Sequence, residues 1–364
     1  MNGDPAPHAR RPEKMPVHVL SGFLGAGKTT LINRFLGAPF LSDAALIINE
    51  FGAIGVDHLL VEQSSDGIIE LSDGCLCCTV RGALVDTLAD LMDRRQTGRV
   101  RPFSRVLVET TGLADPGPVL QAIIGHPVLA GCYEFAGLVT VVDAVHGNDT
   151  LAKHEEARRQ VRLADRLLIS KSGMVGEMQR SALAPLLTQL NPRVAVLDGD
   201  DPDLTAEAVF SINANAGNEA AAVPAAAHAH SHGHDADGIQ TESLVIDEAI
   251  APEALMLFLD RLQSAHGPNL LRMKGIVKLS DRPERPLVVH AVQSIIAAPV
   301  RLAGWPEGAD RKTRLVVIGK DLPAGLVSEL FSALANRPGI DRPDSQALID
   351  NPLAIPGGYT PGRG

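Results

Sequence analysis

Residues 22–29 read Gly22-Phe23-Leu24-Gly25-Ala26-Gly27-Lys28-Thr29, and Thr30 adds a second hydroxyl. Every fixed position of the phosphate-binding pattern G-x-x-x-x-G-K-[ST] is filled. The run ahead of it, Val17-His18-Val19-Leu20, suits a buried strand, and Thr30–Leu36 behind it has helical spacing that ends at Gly37. The motif therefore stands between a strand and a helix N-terminus, where the N–H groups of a glycine-rich turn can face phosphate oxygens. Gly22, Gly25, Ala26 and Gly27 are expected to form that cradle, Lys28 to reach the β- and γ-phosphates, and Thr29 to hold Mg²⁺. The full match in the correct context weighs against the plainer reading, an ordinary glycine-rich turn. A nucleoside triphosphate is the expected ligand.

Outward from the motif, apolar runs alternate with helical stretches as far as about Asp198. Strands are expected at Val17–Ser21, Ala44–Asn49, Arg105–Glu109, Leu138–Asp143, Arg166–Ser170 and Arg193–Leu197. Helices are expected at Arg81–Arg95, Pro116–Ile124, Lys153–Leu163 and Glu177–Leu190. Short apolar strands separated by helices imply an α/β fold, the parallel sheet of a P-loop NTPase with helices on both faces. Ligands of such sheets lie beyond the carboxyl ends of the strands. Further along, Asn213–Gly238 is rich in Ala, Gly and Asn and carries His228, His230, His232 and His234, so it reads as a linker. Beyond it come a strand at Ser243–Asp247, a helix at Pro252–Leu262, strands at Leu270–Leu279, Pro286–Val292 and Thr313–Ile318, and a helix at Ala324–Leu334. That order predicts a small α+β C-terminal domain with helices on one face of an antiparallel sheet. The division is a leader over 1–15, a nucleotide domain over 16–205, a linker over 206–239, the second domain over 240–336 and a tail over 337–364, leader and tail being expected to be disordered.

The 364 residues suffice for two domains, and the hydrophobic share of 45% is ordinary for a globular chain. A formal net charge of −10 argues against nucleic acid as a partner. No apolar stretch approaches the length that spans a bilayer, and the first sixteen residues lack the apolar segment of a secretory signal. Three of the four cysteines crowd into Cys75, Cys77 and Cys78, which is not a disulfide framework and fits a reduced, cytoplasmic setting.

Three further stretches carry chemistry. Glu109-Thr110-Thr111-Gly112 closes a strand; Glu109 is placed to act on Mg²⁺ through water and the Gly112 amide to meet the γ-phosphate, the plainer alternative being a carboxylate that caps a turn. Asn49-Glu50-Phe51-Gly52 ends another strand ahead of a polar loop reaching Gly67, where Glu50 could orient the attacking water or remain a solvated carboxylate. In Ser72-Asp73-Gly74-Cys75-Leu76-Cys77-Cys78, Cys75 and Cys77 would share one face of a strand and Cys78 the other, so joint ligation of Zn²⁺ needs a turn at Gly74. Three thiolates leave a fourth tetrahedral position, the condition of a site that exchanges metal; buried, reduced cysteines are the alternative. The His228–His234 tract collects divalent metal loosely or is a spacer, and Cys132 is expected to pack in a core.

Taken together these stretches resemble the CobW-type metallochaperone GTPases, relatives of the nickel-inserting urease and hydrogenase accessory GTPases. The likeness rests on Ser21–Thr30, Asn49–Gly52, the C-x-C-C of Cys75–Cys78 with Thr79-Val80-Arg81-Gly82, Glu109–Pro116 and Val141–Ala144, and covers most of Pro16 to Asn336. It implies a slow GTPase, using GTP and Mg²⁺, whose nucleotide state changes how the thiolates hold Zn²⁺ or Co²⁺ for delivery to a client protein; homodimerisation is left open. Such coupling is reciprocal, because metal tightens GTP by the factor that GTP tightens metal. One place departs from the family. Its guanine-reading motif, N-K-x-D, is here Ser170-Lys171-Ser172-Gly173. Lys171 can still pack along the base and Ser170 can still hydrogen-bond, but Gly173 removes a carboxylate worth about 1.5–3 kcal/mol, or one to two decades of selectivity. ATP thus stays open, and a P-loop ATPase or small-molecule kinase with structural cysteines, or a non-enzymatic zinc buffer, are the competing readings.

Overall fold

The computed structural model describes residues 14–48, 68–70, 78–192, 194–212, 238–306 and 309–334. In chain order the first part holds β1 (Met15–Gly22), α1 (Lys28–Phe35), β2 (Ala44–Ile48), β3 (Ile68–Glu70), α2 (Cys78–Gln96), β4 (Arg105–Glu109), α3 (Gly117–Gly125) and α4 (Pro127–Cys132). It continues with β5 (Tyr133–Asp143), α5 (Gly147–Lys153), α6 (Glu155–Leu163), β6 (Arg166–Ser170), α7 (Glu177–Leu190), β7 (Ala195–Asp198) and α8 (Ala206–Phe210). The strands form one seven-stranded sheet in the order β3-β2-β4-β1-β5-β6-β7, every pairing parallel.

Residue alternation along β1 explains why it lies at the centre. Met15, Val17 and Val19 face a core shared with Leu84, Leu88 and Leu91 of α2 and Val119, Leu120 and Ile123 of α3. Leu20 faces the opposite layer, with Ile32 and Phe35 of α1 and Val209 and Phe210 of α8. A strand buried on both sides is apolar at nearly every position, and each full Val or Leu burial contributes about 1.5–3 kcal/mol. His18 and Ser21 are the polar residues of β1, both buried, and His18 lies among aromatic rings. His18 is 5% exposed, with Phe40 and Phe210 edge-on at 5.9 Å. Burial, with the Arg105 charge nearby, lowers its pKa to about 4, so the ring is neutral at pH 7.

Four differences from the expected elements have physical causes. β3 is only three residues long, too short to show a period of its own, and it pairs in register with Leu46–Ile48. The helix expected over Lys153–Leu163 is two helices that meet at an extended His154 (φ −118°, ψ 118°). A short helix, α4, follows His126 and begins on Pro127, a residue suited to a first turn because it lacks the N–H that would go unused there. Residues 206–210, which composition assigned to the start of the linker, form α8; Thr205 caps it by accepting from the Ala208 N–H, and Ala206, Val209 and Phe210 are buried. Its two exposed acidic and alanine positions hide that apolar stripe in a short window.

The second part holds β8 (Ile239–Ile246), α9 (Pro252–His266), β9 (Leu270–Val277), β10 (Leu287–Val292), β11 (Ile295–Ile296), β12 (Val300–Arg301), β13 (Thr313–Lys320) and α10 (Leu326–Leu334). Its strands pair antiparallel in the order β11-β10-β9-β13-β8, with β12 on β10. Leu255, Phe258, Leu259 and Leu262 of α9 and Val327 and Phe331 of α10 share one core with Met273, Val289, Ala291, Leu315 and Val317, so both helices lie on one face. The other face of β9 and β10 carries Arg272, Lys274, His290 and Val292, as period-2 alternation requires. This face meets the first sheet's layer: Val292 enters the α2/α3 core, and Phe135 of β5 meets His290 edge-on at 5.1 Å.

Candidate functional site

The site is built at the carboxyl edge of the parallel sheet, around the turn from β1 to α1. Gly22 leaves β1 with φ 147°, and a Cβ there would stand 2.5 Å from the Val141 carbonyl, so no other residue fits. Ala26 N–H donates to the Phe23 carbonyl at 3.1 Å and closes the loop. Gly27, in the left-handed region at φ 93°, is the N-cap of α1, whose first residues are Lys28 and Thr29. Lys28 is buried at 8% exposure, and its Nζ donates to the Gly22 carbonyl at 2.9 Å, which holds the ammonium over the loop.

The neighbouring strand supplies the acid. β4 lies parallel to β1 with Leu20 opposite Glu109, and Thr110 N–H donates to the Leu20 carbonyl at 2.9 Å. Glu109 is 5% exposed, and the Thr29 Oγ1 donates to its Oε1 at 3.2 Å. A hydroxyl and a carboxylate side by side are hard oxygen donors. They fit Mg²⁺, which takes one or two protein oxygens and keeps its waters. Gly112 is buried beneath Leu24 of the phosphate loop; a Cβ on it would stand 2.6 Å from the Leu24 nitrogen. The Glu109–Gly112 turn and the phosphate loop are therefore in backbone contact.

β6 closes the other flank. Ser170 Oγ donates to the Ala26 carbonyl at 2.6 Å, and Lys171 Nζ donates to the Gly25 carbonyl at 2.8 Å and to Asp143 Oδ2 at 2.6 Å. Burial raises the Asp143 pKa, but the Lys171 hydrogen bond and charge and the Val145 N–H outweigh this, so its net pKa is lowered. Lys171 itself sits at φ 57°, a left-handed conformation that costs a non-glycine residue about 1 kcal/mol and is retained by these contacts.

The structure thus brings Gly22, Gly25, Ala26, Gly27, Lys28, Thr29, Glu109, Gly112, Ser170 and Lys171 to one edge. Thr30 is exposed on α1. Glu50, Cys75 and Cys77 lie outside the described residues, as do Asn49 and the His228–His234 tract. The backbone of Cys78 opens α2. Among the described residues there is no cluster of three or more His, Cys, Asp or Glu that could hold a metal. Cys132 packs half-buried against the first core.

Two supports escaped the sequence reading. Gln160 of α6, 1% exposed, donates from Nε2 to the Gly112 and Ala114 carbonyls at 3.1 and 3.0 Å. Arg159 pairs with Asp115 at 3.1 Å. Both act on the turn after β4 from a helix some 45 residues later in the chain, so no local pattern announces them. The signal in the sequence was the position of Gln160 on the helical stripe of Ala157, Val161 and Ala164.

Comparisons with known proteins agree with this geometry. Residues 16–198 match the family model described as the CobW/HypB/UreG nucleotide-binding domain, and residues 239–335 match the cobalamin synthesis protein cobW C-terminal domain. The chain is 32% identical to the zinc chaperone YjiA of Escherichia coli over 323 residues, covering 87% of this chain and 98% of that one. It is 31% identical to the zinc chaperone CobW of Pseudomonas aeruginosa over 371 residues, covering 90% and 96%. Among solved structures, the Zn(II)-bound YjiA GTPase from E. coli superposes with a TM-score of 0.64 at 27% identity, covering 88% of this chain and 99% of that one. With its phosphate loop, its parallel sheet and its antiparallel second sheet all accounted for, this chain belongs to the CobW/HypB/UreG family.

Proposed function

We propose that this chain is a GTP-hydrolysing metallochaperone. Its nucleotide state governs how Cys75, Cys77 and Cys78 hold Zn²⁺, or Co²⁺, before transfer to a client protein. The names of its relatives support the reading: two are zinc chaperones, and one solved neighbour is a zinc-bound GTPase. The observation that carries it is a matter of register. Glu109 and Glu70 both stand opposite Ile48 of β2, so β4 and β3 end at the same carboxyl edge. In sequence Cys75 and Cys77 fall between Glu70, which ends β3, and Cys78, which opens α2, and β3 lies two strands from the strand that carries Glu109. That nearness in sequence to the rim carrying Glu109 supports a coupling between nucleotide and thiolates.

In this reading the N–H groups from Gly22 to Thr29 receive the phosphates, and Lys28 turns its ammonium to the β- and γ-oxygens. Thr29 and Glu109 hold Mg²⁺, which when bound neutralises phosphate charge. Gly112 offers its amide to the γ-phosphate, so the turn that contacts Leu24 is set by whether that phosphate is present. Glu50 aligns the attacking water. Ser170 and Lys171, already fastened to Ala26 and Gly25, border the base. The nucleotide domain extends through α8 to residue 212 and the second runs from 238, with the His-bearing segment between. A reducing cytoplasm is the compartment that suits thiolates kept free for metal. The net charge of −10 argues against nucleic acid as a partner. No described helix is long and apolar enough to cross a membrane.

Cobalt titration of the metal-free protein, followed by thiolate-to-cobalt absorption, tests the proposal. Performed without nucleotide, with Mg²⁺–GDP and with Mg²⁺–GTP, it should show Co²⁺ affinity rising about 5- to 150-fold in the triphosphate state. Cys77→Ser should abolish the signal while GTP still binds. Equal Co²⁺ affinity in all three nucleotide states would sink the coupling.

A further inference from the structure

The guanine pocket of this chain lacks a carboxylate where its local motif should provide one, at Gly173. The structure shows a carboxylate arriving there from elsewhere. Asp200 lies in the loop after β7. Its Oδ1 accepts from the Lys171 N–H at 3.2 Å and its Oδ2 from the Gly173 N–H at 3.0 Å. A Cβ on Gly173 would stand 3.6 Å from that Oδ2, so the group occupies the space into which a side chain at 173 would extend.

The loop that presents it is held from three sides. Gly199 N–H donates to the Ile169 carbonyl at 2.6 Å. Asp198 Oδ1 accepts from Ser172 Oγ at 2.5 Å and from the Asp200 N–H at 3.0 Å. Arg34 of α1 donates to the Gly199 and Asp201 carbonyls at 2.6 and 2.5 Å. Thus α1, which begins in the phosphate loop, and β6, which is fastened to that loop, both fix the position of residue 200. Asp200 is exposed, and each of its carboxylate oxygens accepts one backbone N–H. A lone pair remains on each oxygen, and two adjacent acceptors match the N1–H and 2-amino donors of guanine.

We propose that Asp200 is the residue that reads guanine in this chain, supplying from the β7–α8 loop the carboxylate absent at position 173. This rests on the GTPase reading above and deepens it. Adenine offers an acceptor at N1 and no 2-amino group, so it leaves the carboxylate without donors. Xanthine carries a carbonyl at C2 and meets the carboxylate acceptor to acceptor.

Calorimetric binding of GDP, IDP, XDP and ADP to the full-length protein tests this, with thermal melting as a check on folding. Wild type should favour GDP over ADP and XDP by roughly 10- to 100-fold and over IDP by a smaller factor. In Asp200→Asn the amide N–H₂ should donate to the xanthine C2 carbonyl and meet the guanine 2-amino group donor to donor, so GDP weakens about tenfold or more while XDP tightens. Adding Gly173→Asp to Asp200→Asn should return the preference to GDP. If Asp200→Asn weakens GDP and XDP alike, or leaves GDP unchanged, Asp200 only braces the turn and the proposal fails, the GTPase reading standing. If wild type binds ADP as tightly as GDP, the GTPase reading fails and the proposal with it. Should Asp200→Asn melt far below wild type, equal affinity of the wild type for GDP and IDP is sufficient to overturn the proposal.

Discussion

At the scale of single residues, the contact between Thr29 and Glu109 joins a helix N-terminus to the end of an adjacent strand, and both offer oxygen donors of the kind proposed to hold Mg²⁺. Glu109→Gln keeps the shape and a hydrogen-bond acceptor but removes the charge. The expected outcome is a Mg²⁺ requirement raised about tenfold with GDP affinity in saturating Mg²⁺ little changed; an unaltered Mg²⁺ titration of GTP turnover would remove Glu109 from metal binding. His18 makes a separate prediction. Its folded pKa of about 4 lies below the ordinary 6.5 because the neutral ring is buried. Above pH 6.5 both folded and unfolded forms are neutral and nothing is lost. As pH falls from 6.5 to 4 the unfolded chain takes up the proton first, so stability drops by about 2–3 kcal/mol over that window and then levels. His18→Gln should flatten that slope in urea unfolding at pH 7 and pH 4.5, and equal slopes for the two proteins would contradict the assignment.

At the scale of elements, the turn after β4 is the piece on which the proposed nucleotide sensing depends. Gly112 lies against the Leu24 backbone, and Gln160 holds the Gly112 carbonyl from above. Gly112→Ala must push the phosphate loop or the turn by several tenths of an ångström. GTP turnover should fall at least tenfold, with a lower melting temperature, and single-turnover assays would show it; wild-type rates in that variant would mean that the two segments do not need to touch. Much of this architecture was legible in advance. β4 and β6 have the expected bounds, because each is a three-residue apolar centre between polar ends, and such a run leaves little choice. The ends of β1 and β5 reach further than expected: Met15 and Tyr133 are drawn into parallel pairing with one another, a long-range event. α8 and β3 were illegible for the same reason, since five and three residues gain their order from the sheet they pack on.

At the scale of the molecule, the second sheet rests on α3, the helix that follows the turn after β4. Gln121 Nε2 donates to Gln293 Oε1 at 2.6 Å, and Val292 packs with Val119, Leu120 and Ile123. Beside this contact Asp165, at 2% side-chain exposure, receives Arg272 at 2.5 Å and Lys274, both from β9. Burial alone would raise the Asp165 pKa, but Arg272, Lys274 and His290 outweigh it and hold the carboxyl well below the usual carboxylate range. Its stabilising share is complete above the ordinary carboxylate pKa and fades as pH falls below it. Asp165→Ala would leave the buried Arg272 and the half-buried Lys274 without their shared carboxylate, at a cost of about 3–5 kcal/mol. Trp305, the single tryptophan, reports on the second sheet alone. In urea, the Trp305 transition should separate from loss of GDP binding in Asp165→Ala and coincide with it in wild type; coincidence in both would show that the ion cluster does not join the two parts.

The phosphate loop, the parallel character of the first sheet and the existence of a second, antiparallel one could all be read from the chain itself. Each depends on residues within a few positions of one another: a glycine-rich turn between strand and helix, apolar runs too short for helices, period-2 alternation. The carboxylate of Asp200 beside Gly173, the hold of Gln160 on Gly112 and the ion cluster of Asp165 belong to another class. Each joins segments 27 to 109 residues apart, and such segments meet only because the strands assemble in the order β3-β2-β4-β1-β5-β6-β7 and the second sheet docks on α3. Strand order is settled by the burial of both sheet faces at once, a sum over the whole core that no short window of sequence contains.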